Sequence, residues 1–361
     1  MNLKCDVLIL TSAFGNGHIS VASAIREQLL EEQPNLRVTT EDIMDISTPK
    51  VKNIFFDIYT ILTKSHPSIY NFFYKIKKDI PNNFFDEIIY DIYLKRVGDY
   101  IESCNPKLIV STFPLCSGFV SKVKEKYGID VPLITSITDV VDSWEWIHNK
   151  TDMYFVPCKH VGEKLVLKGI EQDKIRITGI PVKKEFLDAD RNQKSFRQVL
   201  IMGGAMDKLG LNPELLEKLN NIPNTKTIVV TGKNKEMFNR LTRSGEFDNV
   251  EILGYTKDVA RLMDESDLVV TKPGGVTLFE AINKGIPVLL KSSMVGQEEE
   301  NVNFIKTAGI GILIEGDGSL FSQVENALNN PESLMSLRKN IEEIQTEIEP
   351  RKLGEYALEL I

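Results

Sequence analysis

Four cysteines in 361 residues, Cys5, Cys104, Cys116 and Cys158, are too few and too scattered for a disulfide framework, and no C-x-x-C pair offers a zinc site. That scarcity points to a reducing compartment, the cytoplasm. Positive charge is also short: 43 Lys and Arg against 51 Asp and Glu leave a net charge of −8, which argues against nucleic-acid binding by general phosphate neutralisation. No run of about 18 apolar residues occurs, so no transmembrane helix is expected. The first apolar stretch, Val7 to Leu10, is too short for a signal-peptide core and has only Lys4 before it. Any membrane contact is then peripheral.

What is present is the make-up of a folded α/β chain. Hydrophobic residues at 42% with 26% charged residues suit a globular protein and are too apolar for disorder. The length exceeds one ordinary core and predicts two domains. Short β-branched runs alternate with helix-period segments: Val7 to Leu10, Leu108 to Thr112, Pro132 to Thr138 and Met153 to Pro157. Strands apolar throughout, with helices between them, mark a parallel sheet covered on both faces. A polar stretch from Asp188 to Gln198 holds no apolar period and reads as a linker. The pattern restarts with Gln198 to Gly210, Thr227 to Lys233, Val250 to Tyr255, Leu268 to Gly275 and Pro287 to Lys291. Each half opens with a strand, a glycine turn and a helix, which predicts two Rossmann-like domains with parallel sheets facing across a cleft. The expected boundaries are a first domain over 1–187, a linker over 188–198, a second domain over 199–335, and a helical tail over 336–361 returning to the first domain.

Leu8 to Ile25 reads LILTSAFGNGHISVASAI, with Gly15, Gly17 and His18 at the turn from strand to helix. Glycine there lets a ligand approach the backbone, and the N–H groups of a first helical turn favour an anion. The same glycines would equally serve a tight turn without a ligand. A nicotinamide-binding fingerprint fits poorly, since Ser20 stands where the third glycine belongs, although Glu41 and Asp42 supply acids about 20 residues on. His18 sits where α/β crevices place ligands, and its imidazole suits proton transfer from a hydroxyl; the competing reading is a structural histidine. The sharper signal is TKPGGVTLFEAINKGIPVLL over Thr271 to Leu290, a strand, a Pro-Gly-Gly turn, a helix and another strand. Gly274 and Gly275 put backbone N–H groups at a helix start, ready for phosphate. Glu280 can accept both hydroxyls of a ribose, or it is a first-turn acid complementing the helix dipole.

Four stretches, TSAFGNGH, ITGIPV, TKPGGVTLFEA and VGQEEENVNFIKTAG, resemble in order and spacing the motifs of the processive diacylglycerol glucosyltransferases and monogalactosyldiacylglycerol synthases. The likeness runs from Val7 to Gly311. It implies a GT-B fold, with a lipid acceptor on the first domain and a UDP-sugar on the second. It also implies an inverting hexosyltransferase of glycolipid biosynthesis that displaces UDP directly, with no obligate metal and no cofactor. The letters D-x-D occur only at Asp188-Ala189-Asp190, inside the expected linker. By the same resemblance Gly203 and Gly204 face the diphosphate, the backbone around Tyr255 holds uracil, and Glu280 binds the ribose. Gln297 and Glu298 bind sugar hydroxyls, Lys183 reaches the diphosphate, and Gly15, Gly17, Lys272, Gly274 and Gly275 complete the UDP-sugar site.

Such a transfer needs dipoles and a cation aimed at the departing β-phosphate, which stabilise the transition state more than the ground state. It also needs a base for the acceptor hydroxyl. His18 is the first candidate; Asp139, in SITD at a strand end, is the second, or else it orients His18. The family often carries a histidine a few residues beyond this aspartate, where Ser143 stands here; Trp146 matches, and His148 is close by. In the glycine loop Ala205 and Met206 replace further glycine, and Val295 replaces a usual proline before Gly296.

A lipid acceptor requires a way to dock. Between Phe55 and Tyr93 lie 11 Phe and Tyr residues interleaved with lysines, densest at Phe72, Phe73, Tyr74, Lys75, Lys77 and Lys78. Rings entering the headgroup layer and cations meeting anionic lipid would hold the protein on the inner face of the cell membrane, with Trp146 as a further acceptor-side residue. The alternative is a core beneath a helical insertion, with solvated lysines. Three rivals share the fold or the ligand: a transferase for another lipid, a UDP-sugar epimerase that needs no acceptor, and a non-catalytic UDP-sugar sensor at the membrane.

Overall fold

A computed structural model describes residues 4–13, 16–47, 86–189, 196–203, 209–291, 296–314 and 319–361. The chain divides into two compact units: 1–184 with 295–297 and 347–361, and 185–294 with 298–346. Each is built on a parallel six-stranded sheet.

In the first unit the strands are β1 (Val7–Thr11), β2 (Val38–Asp42), β3 (Leu108–Ser111), β4 (Leu133–Ser136), β5 (Met153–Val156) and β6 (Ile175–Ile177), in the order β2-β1-β3-β4-β5-β6. Every residue of β1, β3, β4 and β5 is buried, which is why these strands carry apolar runs. The helices are α1 (Asn16–Glu32), α2 (Ile43–Ser47), α3 (Asp86–Cys104), α4 (Pro114–Tyr127) and α5 (Lys159–Leu167). α4 shows how sequence sets such a helix. Pro114 opens it where no N–H is needed, and Gly128 closes it with φ 67°, its N–H donating to the Lys124 carbonyl at 3.1 Å. The strand order reverses between β1 and β3, and α/β sheets bind ligands at the carboxyl ends beside such a reversal. The C-terminal helix Leu353–Leu358 packs on α1, where a Cβ on Gly354 would stand 3.0 Å from the Gln28 carbonyl oxygen.

The second unit holds β7 (Arg197–Met202), β8 (Thr225–Val230), β9 (Val250–Leu253), β10 (Leu268–Thr271), β11 (Val288–Lys291) and β12 (Gly311–Ile314), ordered β12-β11-β10-β7-β8-β9. Its helices are α6 (Pro213–Asn220), α7 (Lys235–Thr242), α8 (Val259–Asp264), α9 (Gly275–Asn283), α10 (Gln297–Ala308), α11 (Leu320–Asn329) and α12 (Pro331–Glu347). Val199, Ile201, Val229, Leu268, Val270 and Leu289 form the centre of its core. Here the reversal falls between β7 and β10.

Two expected boundaries shift. Arg197 and Gln198 are not linker but the start of β7, paired in register with Thr225 and Lys226 of β8. The tail does not leave the second unit at 336. α12 stays there to Thr346, with Arg338 bonded to Asp267 at 3.1 Å and Gln345 Nε2 donating to the Ile282 carbonyl at 2.6 Å. Only 347–361 belong to the first unit. Among the described residues no helix is long and apolar enough to cross a membrane.

Candidate active site

At the reversal of the first sheet stands His18. The chain leaves β1 at Thr11 and enters α1 at Asn16, which puts this histidine in the first helical turn. It is 9% exposed. Nδ1 lies 2.9 Å from the carbonyl oxygen of Thr112, just past β3, and 3.1 Å from the hydroxyl of Thr138, just past β4. A carbonyl oxygen only accepts, so Nδ1 carries the ring proton and Nε2 keeps a lone pair. Thr112 is itself fixed, its hydroxyl 2.9 Å from that of Thr11 and 3.2 Å from the carbonyl of His18. The Phe113 ring meets the imidazole edge-on with centroids 4.9 Å apart. Burial pushes the His18 pKa down to about 4, outweighing the upward pull of the Thr112 carbonyl. The imidazole is therefore neutral at physiological pH. Asp139 follows Thr138 directly and is partly exposed.

The reversal of the second sheet has glycine on both sides, Gly203 after β7 and Gly274-Gly275 after β10. The Gly203 N–H donates to the Val230 carbonyl at 3.0 Å. A Cβ on Gly203 would stand 3.0 Å from Leu211 Cδ1 and 3.1 Å from Met237 Cε, so a larger residue in this turn would have to push those side-chain ends aside. Gly274 is the N-cap of α9 and, being glycine, brings no side chain of its own to cap that end. First-turn N–H groups and the positive end of the helix dipole thus stand at the carboxyl end of the sheet. The turn before it is held from α10: fully buried Asn301 donates Nδ2–H to the Pro273 carbonyl at 3.0 Å. Lys272 Nζ lies 2.9 Å from a carboxylate oxygen of Glu298, the second residue of α10. Glu280 is the sixth residue of α9; the first turn of that helix holds no acid, so the dipole-complementing reading of Glu280 fails. Tyr255, just past β9, is 65% exposed, with the Lys233 ammonium 5.8 Å from its ring centroid.

Residues 18–182 match the family described as Monogalactosyldiacylglycerol (MGDG) synthase, and 198–350 match the Glycosyltransferase family 28 C-terminal domain. A processive diacylglycerol beta-glucosyltransferase of Bacillus subtilis (strain 168) is 30% identical over 355 residues, 95% of this chain and 92% of that one. The same description and shares hold for a relative from Bacillus pumilus (strain SAFR-032), also 30% identical. The chain belongs to the diacylglycerol glycosyltransferase family. Its fold is GT-B. A crystal structure of Acinetobacter baumannii MurG matches with a TM-score of 0.65 at 13% identity, over 98% of each chain. Anabaena HepE, crystallised with UDP and glucose, matches with a TM-score of 0.54 at 14% identity, again over 98% of each.

In this diacylglycerol glycosyltransferase the motif positions fall into two groups. Gly17, His18, Asp139, Lys183 and Gln297 are in the first unit, and Gly203, Tyr255, Lys272, Gly274, Gly275, Glu280 and Glu298 are in the second. Gly15, Gly204, Phe72, Phe73, Tyr74, Lys75, Lys77 and Lys78 lie outside the described residues. Trp146 needs correction as a membrane-facing ring. It is 2% exposed in the short helical turn Trp144–Trp146, so its ring is core and cannot enter a headgroup layer. His148 is structural too, half-buried with Nε2 3.1 Å from the Glu145 carbonyl. Asp42, considered for a dinucleotide ribose, instead accepts from the Ala13 N–H at 3.2 Å and the Met44 N–H at 2.9 Å. Sequence reading missed Thr112, Thr138 and Asn301. The first two act through a carbonyl and a hydroxyl at strand ends, and no residue pattern marks those roles.

Proposed function

We propose that this glycosyltransferase moves glucose from UDP-glucose to the free hydroxyl of diacylglycerol, and then to the resulting glycosyl-diacylglycerol, at a membrane surface. The observation that carries the reading is His18, held neutral with Nε2 in the accepting form beside the strand-order reversal of the first sheet. The hydroxyl oxygen attacks the anomeric carbon from the face opposite UDP. A new C–O bond forms, the bond to the β-phosphate oxygen breaks with inversion, and the hydroxyl proton passes to Nε2. Such general-base help supplies about a hundredfold to ten-thousandfold. The charge growing on UDP is met by the start of α9 and by Lys272, so the proposal contains no obligate metal. Glu280 takes the ribose hydroxyls, and Gln297 and Glu298 the hexose. The choice of glucose over galactose follows the Bacillus relatives, which are named as glucosyltransferases. The stretch around Phe72 to Lys78 is the proposed contact with anionic lipid at the inner face of the cell membrane.

The test is incubation of the purified protein with labelled UDP-glucose or UDP-galactose, with and without diacylglycerol vesicles, in buffer containing EDTA. Glycolipid is expected from UDP-glucose only when vesicles are present, with higher yield on anionic ones. Conversion of the donor without acceptor would replace this reading with an epimerase, and binding without turnover would replace it with a sensor.

A further inference from the structure

Lys272 and Glu298 are given to different parts of the donor, the diphosphate and the hexose, yet they are bonded to each other at 2.9 Å. One ammonium cannot hold this carboxylate in that geometry and also be fully available to a diphosphate. Resting on the donor reading of the second unit, we propose that Glu298 occupies Lys272 as a stand-in for the distal phosphate of the donor, and that the diphosphate displaces it and frees its carboxylate for the hexose hydroxyls.

The placement of the ammonium supports this. Lys272 Nζ lies 3.6 Å from where a Cβ of Gly274 would be, beside the N-cap of α9. A cation and a helix start together make a place for an anion, and the anion now there is Glu298. The two partners differ in freedom. The Lys272 side chain is 48% exposed and can swing, while that of Glu298 is 15% exposed on the first turn of α10. That turn favours a carboxylate through the helix dipole whether or not Lys272 is bound.

The helix does not depend on the pair either, because Asn301 ties α10 to the Pro273 carbonyl separately. Breaking the ion pair therefore leaves the Pro-Gly-Gly turn in place. A pair whose cation is half exposed is weak, and a diphosphate brings more charge and more acceptor oxygens, so exchange runs towards the donor. The carboxylate that reads the sugar is then released only when a diphosphate is present. Glucose alone should not bind.

The experiment is calorimetric titration of UDP and UMP into the wild type, Glu298→Gln, Lys272→Met and the double variant. Glu298→Gln is expected to bind UDP about two- to fivefold more tightly than the wild type, because an exposed ion pair no longer competes. UMP, lacking the distal phosphate, should show no gain, and in the Lys272→Met background the gain should vanish. Unchanged or weaker UDP binding by Glu298→Gln, an equal gain for UMP, or a gain that survives Lys272→Met would each overturn the exchange. A wild type that binds no UDP would remove the donor reading and the exchange with it; UDP binding without the gain would remove the exchange alone.

Discussion

At the scale of single residues, the chemistry of His18 is set by which nitrogen carries the proton. The Thr112 carbonyl fixes Nδ1–H, and burial keeps the ring neutral down to about pH 4. His18→Ala should lower transfer about a hundredfold to ten-thousandfold, while calorimetry finds the UDP affinity unchanged. Because a protonated Nε2 cannot accept, the acid limb of kcat/KM should fall near pH 4; a limb near pH 6.5 would mean a solvated imidazole. Glu280 lies past the first turn of α9, so removing it should not weaken the helix start. Glu280→Ala should raise the KM for the donor about tenfold to a hundredfold, the usual worth of hydrogen bonds to a charged group. An unchanged KM would count against the ribose role.

At the scale of elements, the proposed mechanism requires that α9 not drift, since it assigns the start of that helix and Glu280 to one ligand. Its far end is anchored by a buried ion pair, Lys284 Nζ to Asp264 of α8 at 2.6 Å, with the side chains 2% and 10% exposed. The same ammonium donates to the Asp188 carbonyl, and Gln345 of α12 bonds the Ile282 and Asn283 carbonyls at 2.6 and 3.1 Å. Lys284→Met leaves Asp264 buried beside an apolar group and should cost about 3–5 kcal/mol in denaturant unfolding of the second unit. Adding Asp264→Leu should recover most of it. Elements also show where sequence reading succeeds. The interior strands were legible because both faces are buried and each must be apolar. The edge strands β2 and β6 were not, because they are half exposed, and VTTED or IRI needs no apolar run; the edge strand β9 was read because it keeps a largely apolar VEIL despite its exposure.

At the scale of the whole molecule, two histidines, buried His18 and half-buried His148, make stability depend on acid. Burial pushes His18 and His148 each down to about 4, while in the unfolded chain they titrate near 6.5. Between those values the unfolded state binds more protons than the folded one, so stability falls as pH drops. The loss begins below about pH 6.5 and approaches about 3 kcal/mol per histidine by pH 4. Both lie in the first unit, so its urea midpoint should drop with acid while that of the second changes less. His148→Asn should flatten the slope.

The amino-acid string alone determined the α/β class, the duplicated strand-glycine-helix opening and the family motifs. Buried parallel strands must be apolar, and sharp strand-to-helix turns favour glycine, so both leave local marks. Only the tertiary structure decided that Thr112 and Thr138, 94 and 120 residues from His18, hold its ring, that Trp146 is interior, and that Lys272 meets Glu298. Those contacts join strand ends and helix starts that are neighbours only in the sheet. Pairing across such separations leaves no periodic trace in the chain.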